Sequence, residues 1–414
     1  MTDPRRLVPI ALAFIAFVSL GLPDGLLGVA WPSMRAGFHQ PLDALGMLLV
    51  AITSGYMLSS FFSGAIGRHL GIGRLLAFSC AATGLSLLGL TLVPSWWMVI
   101  SIGMGIGLGA GAIDAGLNTY VATHHSERLM QWLHASFGIG VTLGPLIMTA
   151  GLNITDGWRA GYWVVGAAQL ALGVGFLLTA RLWEAPPAAP NAVPAEPSLT
   201  DDAGHVTATH PEAITAQPHQ THLRASLASL PVWIGTGLFF VYSGLELTLG
   251  LWAYSLLTES RGIGAASAGL WVGIYWGMFT LGRVMAGVFA NRLGHHRLVL
   301  ASLWLALASS LLLAWNPVDG RGLIVIGLIG FAFAPIFPGM VSGTRQRVGP
   351  EHLGNAMGMQ IAAAGVGATS LPTLAGILAD HSSLEAIPWF VTGCVLVMGG
   401  LYRATRRPAI RLAV

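Results

Sequence analysis

Twelve apolar runs, each close to the length needed to cross a hydrocarbon layer as one helix, leave this chain of 414 residues little else to fold into. They lie at 7–31, 44–66, 72–93, 95–121, 129–151, 158–183, 230–257, 266–290, 296–315, 321–344, 352–379 and 386–402. Lipid offers no partner to a backbone N–H or C=O, so runs of this kind are expected to be helices. With 54% hydrophobic and 9% charged residues the chain is too apolar for a water-soluble domain, where about a quarter of residues carry charge. The expected fold is an all-α membrane protein of twelve transmembrane helices. Arg5 and Arg6 precede the first run as in a signal peptide, but that run is too long and lacks a small-residue cleavage site, so it is expected to stay as an anchor.

Residues 184–229 interrupt the series with Pro, Ala, His and acids and no apolar period, which predicts a disordered linker. It divides the chain into two six-helix bundles, 1–183 and 230–414, with both ends on one side. The basic residues are all arginine, and fifteen of the 20 fall in the termini, the linker and the loops of that same side. Basic loops resist translocation, so the termini and linker are expected to be cytoplasmic in an inner membrane. A net charge of +3 is too small to suggest nucleic acid. Cys80 and Cys394 sit in apolar runs and are expected to pack. The linker histidines, His205, His210, His219 and His222, lack metal-site spacing, and no metal or cofactor is expected.

The halves repeat each other. Gly64-Ala-Ile-Gly-Arg68-His69-Leu-Gly71-Ile-Gly-Arg74 follows the second run, and Gly287-Val-Phe-Ala-Asn291-Arg292-Leu-Gly294-His-His-Arg297 follows the eighth. Near the same offset Asp24 to Gly28 meets Glu246 to Gly250, and Gly140 to Pro145 meets Gly367 to Pro372. Such internal symmetry is common in transporters.

The loop after the second helix, repeated after the eighth, resembles the Gly-x-x-x-Asp/Asn-Arg-x-Gly signature of the major facilitator superfamily. The second copy keeps Asn291-Arg292, whereas the first departs with Arg68-His69. The resemblance implies two pseudo-symmetric bundles rocking about a central site, with Gly64, Arg68, Gly71, Arg74, Gly287, Asn291, Arg292 and Gly294 in the gating loops.

Three of the seventeen acids fall inside apolar runs: Asp24, Asp114 and Glu246. An acid at mid-membrane costs about 2.5–3.5 kcal/mol on insertion scales, and a chain that keeps three is expected to use them, here to exchange protons. Gly21, Asp24, Gly25 and Gly28 share one side of their helix, and so do Gly103, Gly107, Gly111, Asp114 and Asn118. Tyr242, Glu246 and Gly250 do likewise, although Glu246 could equally tie two helices together. Arg283 is either a counter-charge for an acid or a group reaching the cytoplasmic surface near the Asn291 turn. Trp271, Tyr275 and Trp276 could stack a sugar ring, with Asn118, Tyr242 and Gln360 as further solute-binding groups, or could simply pack. His134 is read as a packing histidine or as part of the solute and proton path.

An acid on helix one, an acid on helix four, Tyr242-Ser-Gly-Leu-Glu246 with Gly250-Leu-Trp252 on helix seven, and Gln131-Trp-Leu-His134-Ala-Ser-Phe-Gly138 are similar to the fucose permease type. That resemblance implies proton symport of a sugar, with Asp24 and Asp114 at the positions of the family's acids, and a monomer in lipid whose partners are protons and a small solute. Gly140-x-x-x-Gly144-Pro145 also matches part of the superfamily's antiporter motif, which leaves an efflux antiporter for drugs or metabolites as the alternative. No nucleophile-base or metal constellation at membrane depth suggests an enzyme.

Overall fold

The computed structural model describes residues 4–125, 127–155, 157–183, 223–315 and 321–405, and every regular element among them is helical. Twelve spans are long and apolar enough to cross a membrane. In order they are Leu7–Gly37, Leu42–Leu70, Ile72–Leu90, Trp96–Val121, Trp132–Thr155, Arg159–Leu178, Leu230–Ser260, Ala265–Phe289, His295–Trp315, Ile324–Val348, Leu353–His381 and Ala386–Ala404. They are numbered 1 to 12 below. The even count puts both described ends beside Trp183 and Leu223, on what is here the linker side; the opposite face is the far side.

Several span ends shift by a few residues, and four larger differences from the sequence expectation have a physical reason. The first helix runs on through Pro32 to Gly37, because Trp31 and Met34 are fully buried and a proline takes only one hydrogen bond from a well-packed helix. The sixth span stops at Leu178 and continues as a short 3-10 turn, Ala180–Trp183. The expected single run 321–344 is two helices, Arg321–Phe333 and Ile336–Val348, since Pro335 cannot donate to the carbonyl four residues back. The last part of the expected disordered stretch is ordered: Leu223–Leu227 is helical, and the Ser226 hydroxyl meets His352 and Asn355 at the start of span 11. Residues 184–222, including the four linker histidines, lie outside the described residues.

Glycine sets how close the helices come. A Cβ on Gly140 of span 5 or on Gly367 of span 11 would collide with the backbone carbonyl of Val18 in span 1 or Phe240 in span 7. These are corresponding contacts in the two halves. Gly107 and Gly111 likewise seat span 4 on the backbone of span 2 at Ile52 and Tyr56, as Gly330 seats span 10 on Tyr275 of span 8. The paired loop glycines Gly71 and Gly294 take φ values of 80° and 74°, a region that strains other residues.

The halves close on the far side. One apolar core there runs through both, from Trp31, Leu45 and Trp96 to Trp252, Tyr275 and Ala375. The linker-side part of the N-terminal half has a separate core around Phe17, Leu76, Leu117 and Phe176. Leu42 N donates to Asp380 at 3.0 Å and the Thr53 and Thr369 hydroxyls meet at 2.7 Å, while Arg35 pairs with Glu259 across the far-side ends of spans 1 and 7. On the linker side Gly64, Gly287, Gly354 and Gly358 have no heavy atom near the position of a Cβ. The hydrogen bonds and ion pairs between the halves among the described residues lie from mid-span to the far side, which leaves the linker side open.

A second far-side pair ties the C-terminal half together. Arg261 grips Glu385 through two nitrogens, at 2.9 and 2.7 Å, and also donates to Leu313 O. These bonds hold the Glu385 carboxyl below the usual glutamate range. A depressed pKa gives stability that is present above the unfolded value of about 4.3 and is lost as pH falls through the folded one. Glu385→Gln should therefore lower the melting temperature in detergent at pH 7 and flatten its decline below about pH 4.3. An acid limb as steep as wild type would rule out this contribution.

Candidate functional site

Asp24 lies in the middle of span 1, where Gly21 and Gly25 seat the helix on span 5 at Phe137, Val141 and Pro145, and Gly28 seats it on span 7 at Gly250 and Leu251. Protein therefore surrounds the carboxylate, yet its side chain is solvent-accessible. No hydrogen bond or ion pair to Asp24 forms among the described residues. Its charge lies within electrostatic reach of Glu246 on span 7.

The other two acids are engaged. The glycine contacts between spans 2 and 4 bring the Tyr56 hydroxyl to Asp114 at 2.5 Å, and Asn118 Nδ2 donates to the other Asp114 oxygen at 3.0 Å. The Asn118 Oδ1 remains without a protein partner. Glu246 faces Arg283 at 3.6 Å, and the guanidinium lies over the Phe279 ring, 4.3 Å from its centroid. Of the roles the sequence left open for Arg283, the structure therefore places it as a counter-charge, half-exposed beside an acid, and not as a surface arginine. His134 is exposed on span 5, packs edge-on against Phe17 at 5.5 Å, and lies within electrostatic reach of both Asp114 and Arg283. Groups of the two halves are thus within electrostatic reach of one another, Asp24 of Glu246 and His134 of Arg283.

Three residues expected on the solute-binding wall are elsewhere. Tyr242 is fully buried and donates to Phe333 O at 3.1 Å. Tyr275 is fully buried and donates to Glu246 O at 2.8 Å, which braces the backbone under the acid. Gln360 is fully buried toward the linker side, where its Oε1 accepts from Thr344 at 3.1 Å. In each case the polar atom serves helix packing, which a lone polar residue in an apolar run does not reveal. Trp271 is half-buried, and Trp276 is buried against Gly250 with its indole nitrogen unpartnered.

In the two loops expected to gate, Gly64, Gly287 and Gly294 are exposed, as are Arg68, Arg74 and Arg292, with Gly71 half-buried and Asn291 near the end of its helix. Sequence reasoning missed Tyr56, Phe279 and the Arg35–Glu259 pair. The last had a signal: the two residues occupy nearly equivalent places in the repeat with opposite charge.

That pair bridges the halves where they are closed, so it should favour this closed state. Arg35→Glu should slow transport and raise labelling of far-side residues, and Arg35→Glu combined with Glu259→Arg should restore both. Equal defects in the single and the exchanged protein would remove the pair from gating.

The description of the Major Facilitator Superfamily matches residues 13–315 and 234–413. Bypass of stop codon protein 6 of Saccharomyces cerevisiae is 22% identical over 423 residues, covering 97% of this chain and 83% of that protein. The human sodium-dependent glucose transporter 1 is 29% identical over 168 residues, 40% of this chain and 32% of that protein. Among solved structures, a mutant form of the nucleoside transporter NupG superposes with a TM-score of 0.75 at 12% identity, covering 97% of this chain and all of the other. A bacterial homologue of the human lysosomal transporter Spinster, described as inward-facing and unoccupied, also gives 0.75 at 12% identity, with 98% of each chain covered. With twelve membrane-length spans among the described residues, and the family match running over nearly its whole length, this membrane protein belongs to the Major Facilitator Superfamily.

Proposed function

We propose that the chain is a proton-coupled secondary transporter that moves a small, hydroxyl-rich solute by alternating access, with Asp24 as the group that takes up and gives back the proton. The observation that carries this reading is the free, accessible Asp24 carboxylate in a chamber where Asp114 and Glu246 already have partners. A carboxylate enclosed by protein but reached by water can change charge within the cycle, and that change alters which arrangement of the halves is favoured.

The cargo assignment rests on the resemblance to the fucose permease type and on the cargoes named for two similar proteins, glucose and nucleosides, both of which contain a sugar ring. Asn118 and Trp271, both half-buried, are the groups suited to such a ring. The antiporter-like glycines Gly140 and Gly144 seat span 5 on span 1, a packing role that serves either direction of transport.

The linker side is assigned to the cytoplasm. Arg68, Arg74, Arg181, Arg224, Arg292, Arg297, Arg345 and Arg403 are exposed there. On the far side Arg35 and Arg261 are bound to acids, and Arg159 donates to Thr91 O and lies over Trp158. By this assignment the structure faces inward.

The experiment is uptake of labelled hexoses and nucleosides into vesicles of purified protein under an imposed pH gradient of either sign. Accumulation of one of them driven by outside acid supports symport. Loss of preloaded solute under that gradient establishes antiport, and indifference to pH defeats proton coupling.

A further inference from the structure

The proton chemistry above leaves Tyr242 without a part, although its surroundings are unusual. It is fully buried on span 7, one turn from Glu246, and its hydroxyl donates to Phe333 O. The same oxygen is within electrostatic reach of the Glu246 carboxylate and the Arg283 guanidinium, which face each other at 3.6 Å, but its one hydrogen bond among the described residues is the one to Phe333 O. Phe333 is the last residue before the break in span 10, and the helix resumes at Ile336. Gly282 of span 8, next to Arg283, fits against that break: a Cβ there would lie 2.7 Å from Ala334 Cβ and 2.9 Å from Phe331 O. Ion pair, phenol and interrupted helix are one packed unit.

A phenol carries a single proton and can donate one hydrogen bond at a time. Phe333 O and the Glu246 carboxylate are competing acceptors for it, and an ionised carboxylate without its cation is the stronger of the two. While Arg283 satisfies Glu246, the proton is available to the carbonyl, as observed.

We propose that Tyr242 is a positioning residue that couples the Glu246–Arg283 pair to the break in span 10, its proton going to Phe333 O while the pair is closed and to Glu246 when Arg283 is drawn away. Loss of the Phe333 bond frees the linker-side segment Ile336–Val348 to pivot on the two-residue break. That segment borders the open side, where Ser342 and Arg345 are exposed. An event in the chamber is thereby turned into movement of a helix at the mouth.

This coupling rests on the ion pair taking part in transport as proposed above, but its test needs no transported solute. Ser342→Cys is introduced after replacing Cys80 and Cys394 by Ala, and its alkylation by an impermeant maleimide is timed in purified protein. Arg283→Gln, which leaves Glu246 free to capture the phenol, should speed alkylation about threefold or more. Tyr242→Phe should speed it by itself and abolish any further effect of Arg283→Gln. Glu246→Gln added to Arg283→Gln should return the rate to that of the parent, because no carboxylate then competes. The coupling is overturned by an unchanged rate in Arg283→Gln, by an equal increase with and without the Tyr242 hydroxyl, or by persistence of the increase when Glu246 is also replaced. A labelling cycle that follows this pattern in a protein showing no proton-linked uptake would keep the coupling and discard the transport reading, so the two fail separately.

Discussion

Asp24→Asn is expected to abolish uphill accumulation of solute while leaving its exchange across the membrane intact. Asparagine keeps the shape and one accepting oxygen of aspartate, so a solute can still be held, but it takes up no proton. One charge moved through 100 mV is worth about 2.3 kcal/mol, which sustains a concentration ratio of about fiftyfold. In vesicles the substituted protein should therefore reach a ratio of about one, with counterflow of labelled solute near the wild-type rate. Asp114→Asn should reduce accumulation without eliminating it, because Tyr56 and Asn118 already hold that carboxylate. Full accumulation by Asp24→Asn would remove the residue from coupling.

Gly144→Val should destabilise the fold itself. A Cβ at Gly144 would stand 2.7 Å from both Gly25 Cα and Leu22 O, and neither helix backbone can yield without disturbing the span 1 to span 5 contact. Small residues at such crossings let helices approach where no hydrophobic effect drives them together. The expected cost is about 3 kcal/mol, at the upper end for overpacking, since backbone and not a flexible side chain must move. Detergent extracts should show little monodisperse protein, and what remains should melt well below wild type. Gly287→Val is the matched control, because nothing lies within 4 Å of its Cβ position. Equal yields for both would mean that close approach at Gly144 does not matter.

The twelve spans were legible because hydropathy and length report directly on what a bilayer tolerates. The three acids inside spans stood out for a related reason: Asp24, Asp114 and Glu246 are costly in an apolar run. Partners were not. Whether Arg283 turns toward Glu246 or toward the surface depends on how spans 7 and 8 cross, and that is fixed by pairs such as Gly250 against Trp276, which no single run displays. Gln360 and Tyr242 misled for the same reason, since a polar side chain in an apolar run serves a neighbouring helix as readily as a solute. The break at Pro335 had its signal in plain view, with Pro338 three residues on, but hydropathy alone carries the run straight through. Pro32 gave the opposite error, because the helix continued past it.

The most direct test of proton coupling at Asp24 is to record the pH inside lightly buffered vesicles as hexoses and nucleosides are added one at a time outside, for wild type and Asp24→Asn. The wild-type protein should acidify the interior with one or more of these solutes, and Asp24→Asn should carry the same solute with no change in pH. Solute entry into wild-type vesicles without proton movement, or the same acidification with Asp24→Asn, would contradict the assignment.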